Sequence, residues 1–451
     1  MEKKGPESAQ KKISPSRLAA YKALSEVLFH DGLSNAAITR HTAQLTYESD
    51  AKLAAQIVYG TIKKLNKLEK IVGSLSNARS AADPRAILAV EMGAYQLLYL
   101  DRIPDYAVVN DSVNIVKGYV SQSLAPYANG LLRNVARQKA ALREPEKNFE
   151  SRMLYDYGFG PHALKAIRSV MGDAEAEACA RRFQELPTLY IRVNTQKTTQ
   201  GQLIRSLAEE GIAAEGTYVP GGLRVEEAKN LFRTEMFRRG DFFVEDLSGQ
   251  ISSYALAPQK RDAVIDVCAA PGAKSFGAYL VSGGAQIKSA DANPKRLDML
   301  YRSAKQLGIP VKTLRRDATK DCPEEGMYDK AICDVPCSGL GVASRKPEAL
   351  RSFTPEKQRS LAALQASVLS QAFRYLKKGG RLLYSTCTLA KAENEDICQA
   401  LVDSEKSARM APISLPFALK GKHPETESGK LLLSPSQDGC DGFFMCLIEK
   451  A

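Results

Sequence analysis

The sequence predicts a multidomain chain in three parts: an all-α helical bundle over residues 13–145, a small α+β segment over 150–240, and an α/β domain with a mostly parallel sheet over 241–451. Three observations carry this. At 451 residues the chain exceeds what one ordinary core organises. Apolar residues recur at helical spacing as far as about Arg143, with no long β-rich run between them. From Asp262 onward, short β-branched runs alternate with helical stretches, the pattern of parallel strands covered by helices on both faces.

In the first part, Leu18, Tyr21, Leu24 and Leu28 make one helical stripe, and Leu53 and Ile57 begin another. Asp83-Pro84 is a helix start, an N-cap followed by proline at the first helical position, and Ile87, Val90, Ala94 and Leu97 continue from it. Val109, Val113, Val116 and Val120 form the next stripe. The polar first twelve residues read as a disordered tail. Residues 145 to about 165 mix charge with Gly and Pro and read as a linker. A helix over Ala163–Leu186, a strand over Leu189–Val193, a helix near Gln202–Glu210 and short strands around Gly240–Val244 make up the small segment. The last part reads as strands at Ala263–Val267, Gln286–Ala290, Val311–Leu314, Lys330–Cys333 and Arg381–Ser385. A helix from Thr354-Pro355 carries Leu361, Leu364, Val368, Ala372 and Leu376 and stops at Gly379-Gly380; Gly442–Ile448 completes the sheet.

The net charge of +12 is concentrated towards the amino-terminal third. Residues 1–150 hold 21 Lys+Arg against 15 Asp+Glu, an excess of 6 in a third of the length. A polyanionic partner fits that distribution, and so does a solvated mixed surface. No apolar run is long enough to cross a bilayer, and the opening MEKKGPESAQKK lacks a signal-peptide core. The nine cysteines form no C-x-x-C pair and the four histidines are scattered, so no metal is expected. Cysteines in apolar runs suit reduced thiols, and a cytoplasmic monomer is expected.

Asp266-Val-Cys-Ala-Ala-Pro-Gly-Ala-Lys-Ser275 follows the first strand of the α/β domain and opens a helix. Such a turn gathers free N–H groups and a positive helix end at one point, and its small residues let a ligand approach the backbone. The Walker lysine motif is missing, which disfavours a nucleoside triphosphate. Asp291 ends the second strand, where an acidic residue can bind two ribose hydroxyls. Asp317 lies beyond the third strand, where an adenine amino group could be met, and Asp334 ends the fourth. Any one aspartate is more often a turn or cap residue; the ordered set points to the ligand crevice at the carboxyl ends of the strands. Two cysteines also end strands there, Cys337 and Cys387, and spacing does not rank them as nucleophiles.

Over residues 150–450 the chain resembles the RNA cytosine-C5 methyltransferases of the NOL1/NOP2/Sun family. The motifs are Cys-Ala-Ala-Pro-Gly, Asp-Val-Pro-Cys-Ser-Gly and Ser-Thr-Cys-Thr, in family order. The resemblance implies a Rossmann-like class I methyltransferase domain using S-adenosylmethionine. It places Cys268, Ala269, Ala270, Pro271, Gly272, Ala273, Lys274, Asp291, Asp317 and Asp334 at the cofactor. It also makes Cys387 the nucleophile, Cys337 the helper of product release, and Asp334 a partner of cytosine N3. The chain departs from the family at Ala273, where glycine is common, and in having no tryptophan.

The first part resembles NusB through Ala86-Ile-Leu…Tyr95-Gln-Leu-Leu, Asp101-Arg-Ile-Pro…Lys117 and Asn129-Gly-Leu-Leu-Arg-Asn134. That resemblance implies an RNA-binding or docking module. The combination is similar to the bacterial RsmB/Sun branch, which implies small-subunit ribosomal RNA as partner and substrate. The rivals are a cytosine methyltransferase acting on another RNA and a catalytically silent NusB-type binding protein. An adenine N6-methyltransferase is disfavoured, because Pro336-Cys337 stands where such an enzyme carries a Pro-Pro-aromatic turn.

Overall fold

The computed structural model describes residues 13–30, 32–76, 83–226 and 230–451. The opening twelve residues, read from sequence as a tail, lie outside them. The chain divides into two compact units: residues 1–165 with 183–185 and 343–353, and residues 166–182 with 186–342 and 354–451.

The first unit is helical. Helices run over Pro15–Phe29, Ser34–Thr42, Glu48–Leu75, Pro84–Tyr99, Asp105–Tyr119 and Ala125–Arg137. Asp83 caps its helix as expected, accepting the Arg85 N–H, with Pro84 at the first turn. The valine stripe needs correction. Val109, Val113 and Val120 are only half-buried, and Val108, Ser112, Ile115 and Val116 take the inner face. The rotation turns Asp111 inward, where it meets Arg17 at 2.7 Å, and Arg17 also donates to Gln96 at 2.7 Å.

The 28-residue helix Glu48–Leu75 buries two faces. Ile57, Val58, Ile62, Leu68, Ile71 and Val72 enter the bundle core. On the other side, Asn66 donates to the carbonyls of Leu154 and Phe159, both at 2.9 Å, and Lys67 pairs with Asp156 at 2.6 Å. Burial pulls the ammonium groups of Lys63 and Lys64 down to about 8. Residues 145–165 are therefore not a bare linker: a short helix at Phe149–Ser151 runs into a π-turn at Arg152–Asp156, with Met153 and Phe159 fully buried. The segment 343–353 packs here too. Arg351 grips Glu69 through two bonds of 2.8 Å, and Gly160 donates to the Leu350 carbonyl at 2.9 Å.

The second unit holds two sheets. Strands β1 (Leu189–Val193), β2 (Ala214–Gly216), β3 (Gly222–Val225) and β4 (Phe242–Val244) form an antiparallel sheet in the order β2-β3-β1-β4. Leu203 and Leu207 of the helix Gln200–Glu209 close its core. The larger sheet contains β5 (Ala263–Asp266), β6 (Gln286–Asp291), β7 (Val311–Arg315), β8 (Tyr328–Asp334), β9 (Leu376–Thr386), β10 (Ala408–Met410), β11 (Lys430–Leu433) and β12 (Phe443–Lys450). Its order is β10-β12-β9-β8-β5-β6-β7, with β11 also on β12. Strands β5 to β9 are parallel and the last three antiparallel, a Rossmann-like arrangement.

One helix end also differs from expectation. The helix from Pro355 stops at Arg374, and Leu376 already belongs to β9, opposite Tyr328. Gly379 and Gly380 therefore lie within the strand, not at a helix stop. Gly379 has φ +77°, and a side chain on Gly380 would crowd the carbonyls of Lys377 and Tyr328. On that helix Val368 and Ala372 are buried, while Leu364 is exposed.

Removing one partner of the Arg17–Asp111 pair strands a buried charge, so Asp111→Ala should lower the opening free energy of the helices Pro15–Phe29 and Asp105–Tyr119 by about 3 kcal/mol. Hydrogen exchange measures it, and the apolar double replacement Arg17→Met with Asp111→Leu should recover most of the loss.

Candidate active site

The loop after β5 leaves the sheet beside β6 and β8. Val267 donates to Ile332 at 3.1 Å and Ala269 to Ala290 at 2.9 Å, which fixes where the turn begins. Gly272 has φ +114°, and a Cβ there would lie 2.4 Å from the Phe276 ring, so the turn admits only glycine. Ala273 is the first residue of the helix Ala273–Ser282 and has no such restriction, so the departure at that position is absorbed.

Asp291, at the end of β6, is buried. Its oxygens accept the N–H of Ala270 at 3.2 Å and of Asn293 at 2.8 Å, and Arg296 stands 3.6 Å away. The carboxylate thus ties the Cys268–Lys274 turn to the second strand. Asp317 differs: it is exposed and closes its own turn, accepting the Thr319 N–H at 3.0 Å and hydroxyl at 2.7 Å. Those bonds hold its carboxyl below the ordinary value.

Asp334 ends β8. One oxygen accepts Lys274 Nζ at 2.7 Å, the other the Ser385 hydroxyl at 2.8 Å. Burial alone would lower the Lys274 ammonium, but Asp334, with Glu245 behind it, holds it above its usual value. Lys274 Nζ also sits 5.1 Å from the centre of the Phe443 ring.

Beyond β8 and β9 the two expected thiols meet. Cys337 Sγ lies 3.1 Å from Cys387 Sγ and accepts the Cys387 N–H at 3.3 Å. The hydrogen bond with Cys387, then burial, then nearby negative charge, hold Cys337 well above an ordinary thiol. The loop after Cys337 passes β12 so closely that a Cβ on Gly341 would lie 2.0 Å from the Gly442 carbonyl oxygen.

Two acids escaped the sequence reading. Asp266 is buried at the end of β5, and burial pushes its carboxyl up to about 7 against the Ser275 hydroxyl bond of 2.7 Å. Glu245 is likewise pushed up to about 7, although Arg192 lies 3.4 Å away. One oxygen of each, Asp266 Oδ1 and Glu245 Oε1, has no hydrogen-bond partner among the described residues. Asp266 opens the motif and was within reach of sequence reading; nothing local marks Glu245.

Residues 253–449 match the family described as 16S rRNA methyltransferase RsmB/F, residues 14–137 the NusB family, and residues 163–231 the ferredoxin-like domain of RsmF/B-like methyltransferases. A probable ribosomal RNA small subunit methyltransferase B from Synechocystis is 30% identical over 97% of this chain and 99% of its own. The chain belongs to the RsmB/F methyltransferase family. A second such relative of this RsmB/F-family methyltransferase, from Bacillus subtilis, is 29% identical over 88% of this chain and 90% of its own. In fold, the crystal structure of PH0851 superposes with a TM-score of 0.81 at 24% identity, covering 97% of this chain and 99% of that one. NSun6 from Pyrococcus horikoshii, solved with SFG, gives 0.58 at 22% identity over 66% of this chain and 99% of that one.

The raised Asp266 carboxyl has a signed consequence. Its folded-state value lies above the ordinary 3.8, so its stabilising contribution is complete below about pH 4 and is lost as pH rises towards about 7. Asp266→Asn keeps an acceptor for Ser275 and should flatten this part of the profile, by up to roughly 1.4 kcal/mol per pH unit in the window. Urea midpoints of both proteins at pH 5 and pH 8 check it.

Proposed function

We propose that this methyltransferase transfers a methyl group from S-adenosylmethionine to carbon 5 of a cytosine in small-subunit (16S) ribosomal RNA, through a covalent bond between Cys387 and carbon 6. The observation that carries the reading is the pair of thiols 3.1 Å apart at the carboxyl ends of two adjacent parallel strands, next to the Lys274–Asp334 ion pair. The names of the relatives, ribosomal RNA small subunit methyltransferase B, support the RNA substrate.

The residues present fit the cofactor. The tight turn Cys268–Lys274 at a helix start, the buried Asp291 and the unpartnered Asp266 Oδ1 form a cradle suited to a nucleoside and an amino-acid tail. When bound, S-adenosylmethionine supplies an electrophilic methyl group. Asp317 would meet the adenine only by giving up part of its bonding to Thr319.

Carbon 5 of cytosine is too weak a nucleophile to act unaided. In this reading the Cys387 thiolate adds to carbon 6, which makes carbon 5 enamine-like, and carbon 5 takes the methyl group. Asp334 faces N3, and the Lys274 ammonium bonded to it gives the pair a proton to share as charge builds on the ring. Afterwards the Cys337 sulfur, as thiolate, takes the proton from carbon 5, and the electron pair of that bond re-forms the 5,6 double bond as the carbon 6–sulfur bond breaks. N3 returns its proton to the Lys274–Asp334 pair, which restores the aromatic ring and the Cys387 thiolate. Cys337 serves this release step. The target cytosine must be unstacked to reach both groups.

Cys387→Ala should bind RNA and cofactor yet give no covalent species with 5-fluorocytosine RNA. Cys337→Ala should transfer the methyl group and accumulate a protein–RNA adduct on a denaturing gel. The reverse pattern would exchange the roles of the thiols, and no adduct from wild type would sink the covalent mechanism. Asp291→Ala should weaken S-adenosylmethionine binding about tenfold to a hundredfold by calorimetry, from the loss of charge-assisted bonds. Bisulfite mapping of 16S ribosomal RNA with and without the gene tests the substrate.

A further inference from the structure

Behind the two thiols lies a carboxylate that the mechanism above leaves without a task. Glu393 is fully buried, in the short turn Lys391–Glu393 that follows Cys387. Its Oε2 accepts the Ser338 N–H at 2.9 Å and Gln365 Nε2 at 2.9 Å. The same Gln365 nitrogen donates to the Pro336 carbonyl at 2.9 Å. The two residues that flank Cys337 are therefore both held, one by a carboxylate and one by the amide bonded to it. The Ser338 hydroxyl meets Thr388 Oγ1 at 2.7 Å, and the Tyr384 hydroxyl donates to the Glu393 carbonyl at 2.6 Å. These bonds lace the loop that carries Cys337 to the loop that carries Cys387.

The loop needs such holding. Past Val335, whose N–H still reaches the Ser385 carbonyl at 3.1 Å, the chain leaves the sheet ladder, Pro336 has no N–H to offer, and Gly339 turns through φ +73°. A buried carboxylate is costly unless well satisfied, and packing alone would be served by an apolar side chain. Here Oε2 takes two N–H groups, while Oε1 has no hydrogen-bond partner among the described residues. What the charged group gains is placement of the Pro336–Ser338 turn. We propose that Glu393, acting with Gln365, is a positioning residue that holds Cys337 against the Cys387 sulfur for the release step. This rests on the covalent reading given above. The Asp334 side chain is held separately by Lys274 and Ser385, so methyl transfer survives when the anchor is lost and release does not.

The test uses the full chain, an unmodified 16S ribosomal RNA transcript and methyl-labelled S-adenosylmethionine. First-turnover methyl transfer, steady-state turnover, gel-resolved adduct and cofactor binding are read for wild type, Glu393→Ala, Glu393→Gln, Gln365→Leu and Cys337→Ala. Glu393→Ala and Gln365→Leu should keep the first turnover within about threefold, lose about tenfold or more in steady-state turnover, and accumulate adduct as Cys337→Ala does. Glu393→Gln, whose amide oxygen can take both donors, should recover most of the turnover. If Glu393→Ala does not fold, Gln365→Leu and Glu393→Gln decide the matter on the same readings. Turnover like wild type without adduct in Glu393→Ala and Gln365→Leu would overturn the assignment. So would joint loss of cofactor binding and first turnover, or a Glu393→Gln variant as impaired in release as Gln365→Leu. Absence of adduct from wild type on 5-fluorocytosine RNA, and from Cys337→Ala, would instead bring down the covalent reading beneath it.

Discussion

In the register of β8 against β9, Asp334 stands opposite Ser385 and Cys333 opposite Tyr384. Both chains then leave the sheet at the same level, so Cys337, three residues past Asp334, and Cys387, two past Ser385, arrive together. A slip of one residue would turn every side chain to the other face, and a slip of two would separate the thiols by about 6.6 Å. Burial on both faces holds the alignment: the paired Ala331 and Leu382 are buried on one face, and the paired Ile332 and Leu383 on the other. The Ser385 hydroxyl on Asp334 adds a polar pin at the strand ends. The thiol pair and the Asp334–Ser385 bond inherit this register.

Around that alignment the chain gathers more acid than its interior tolerates in ionised form. Asp266, Glu245 and Asp334 lie within electrostatic reach of Lys274, while Arg192 stands by Glu245 and Arg296 by Asp291. Asp334 holds the Lys274 ammonium above its usual value, while burial pushes the Asp266 and Glu245 carboxyls up to about 7. Lys274 is in turn placed by a turn only glycine can make at position 272. Backbone geometry and electrostatics are thus one constraint here, because moving the helix start would move the ammonium bonded to Asp334.

Much of this was legible in the sequence. Six of the eight strands of the large sheet show as short apolar or β-branched runs, while the short β10 and β11 were not read. What stayed hidden depends on partners far along the chain. Asp111 lies within the valine-rich run, and nothing local marks it as buried, because its partner Arg17 stands 94 positions earlier. Glu393 carries no mark in the sequence, since its acceptor serves Ser338, 55 positions away. The end of the helix at Arg374 was missed for a local reason: two glycines imitate a helix stop, while pairing of Leu376 with Tyr328 claims the chain sooner. Asp317 illustrates the opposite hazard, since its position at a strand end suits a ligand and its side chain serves a turn.

The residues 343–353 follow the Cys337 loop in sequence, yet they fold with the helical unit, where Arg351 holds Glu69 and Asn66 and Glu348 accepts the Ser34 N–H. The helical unit is consequently not a contiguous cassette. An exchange of the first 165 codons with a relative would import a foreign helix surface beneath a native 343–353 strip. Glu69, Asn66 and Ser34 on one side and Arg351 and Glu348 on the other form a lineage that substitution has to move in step.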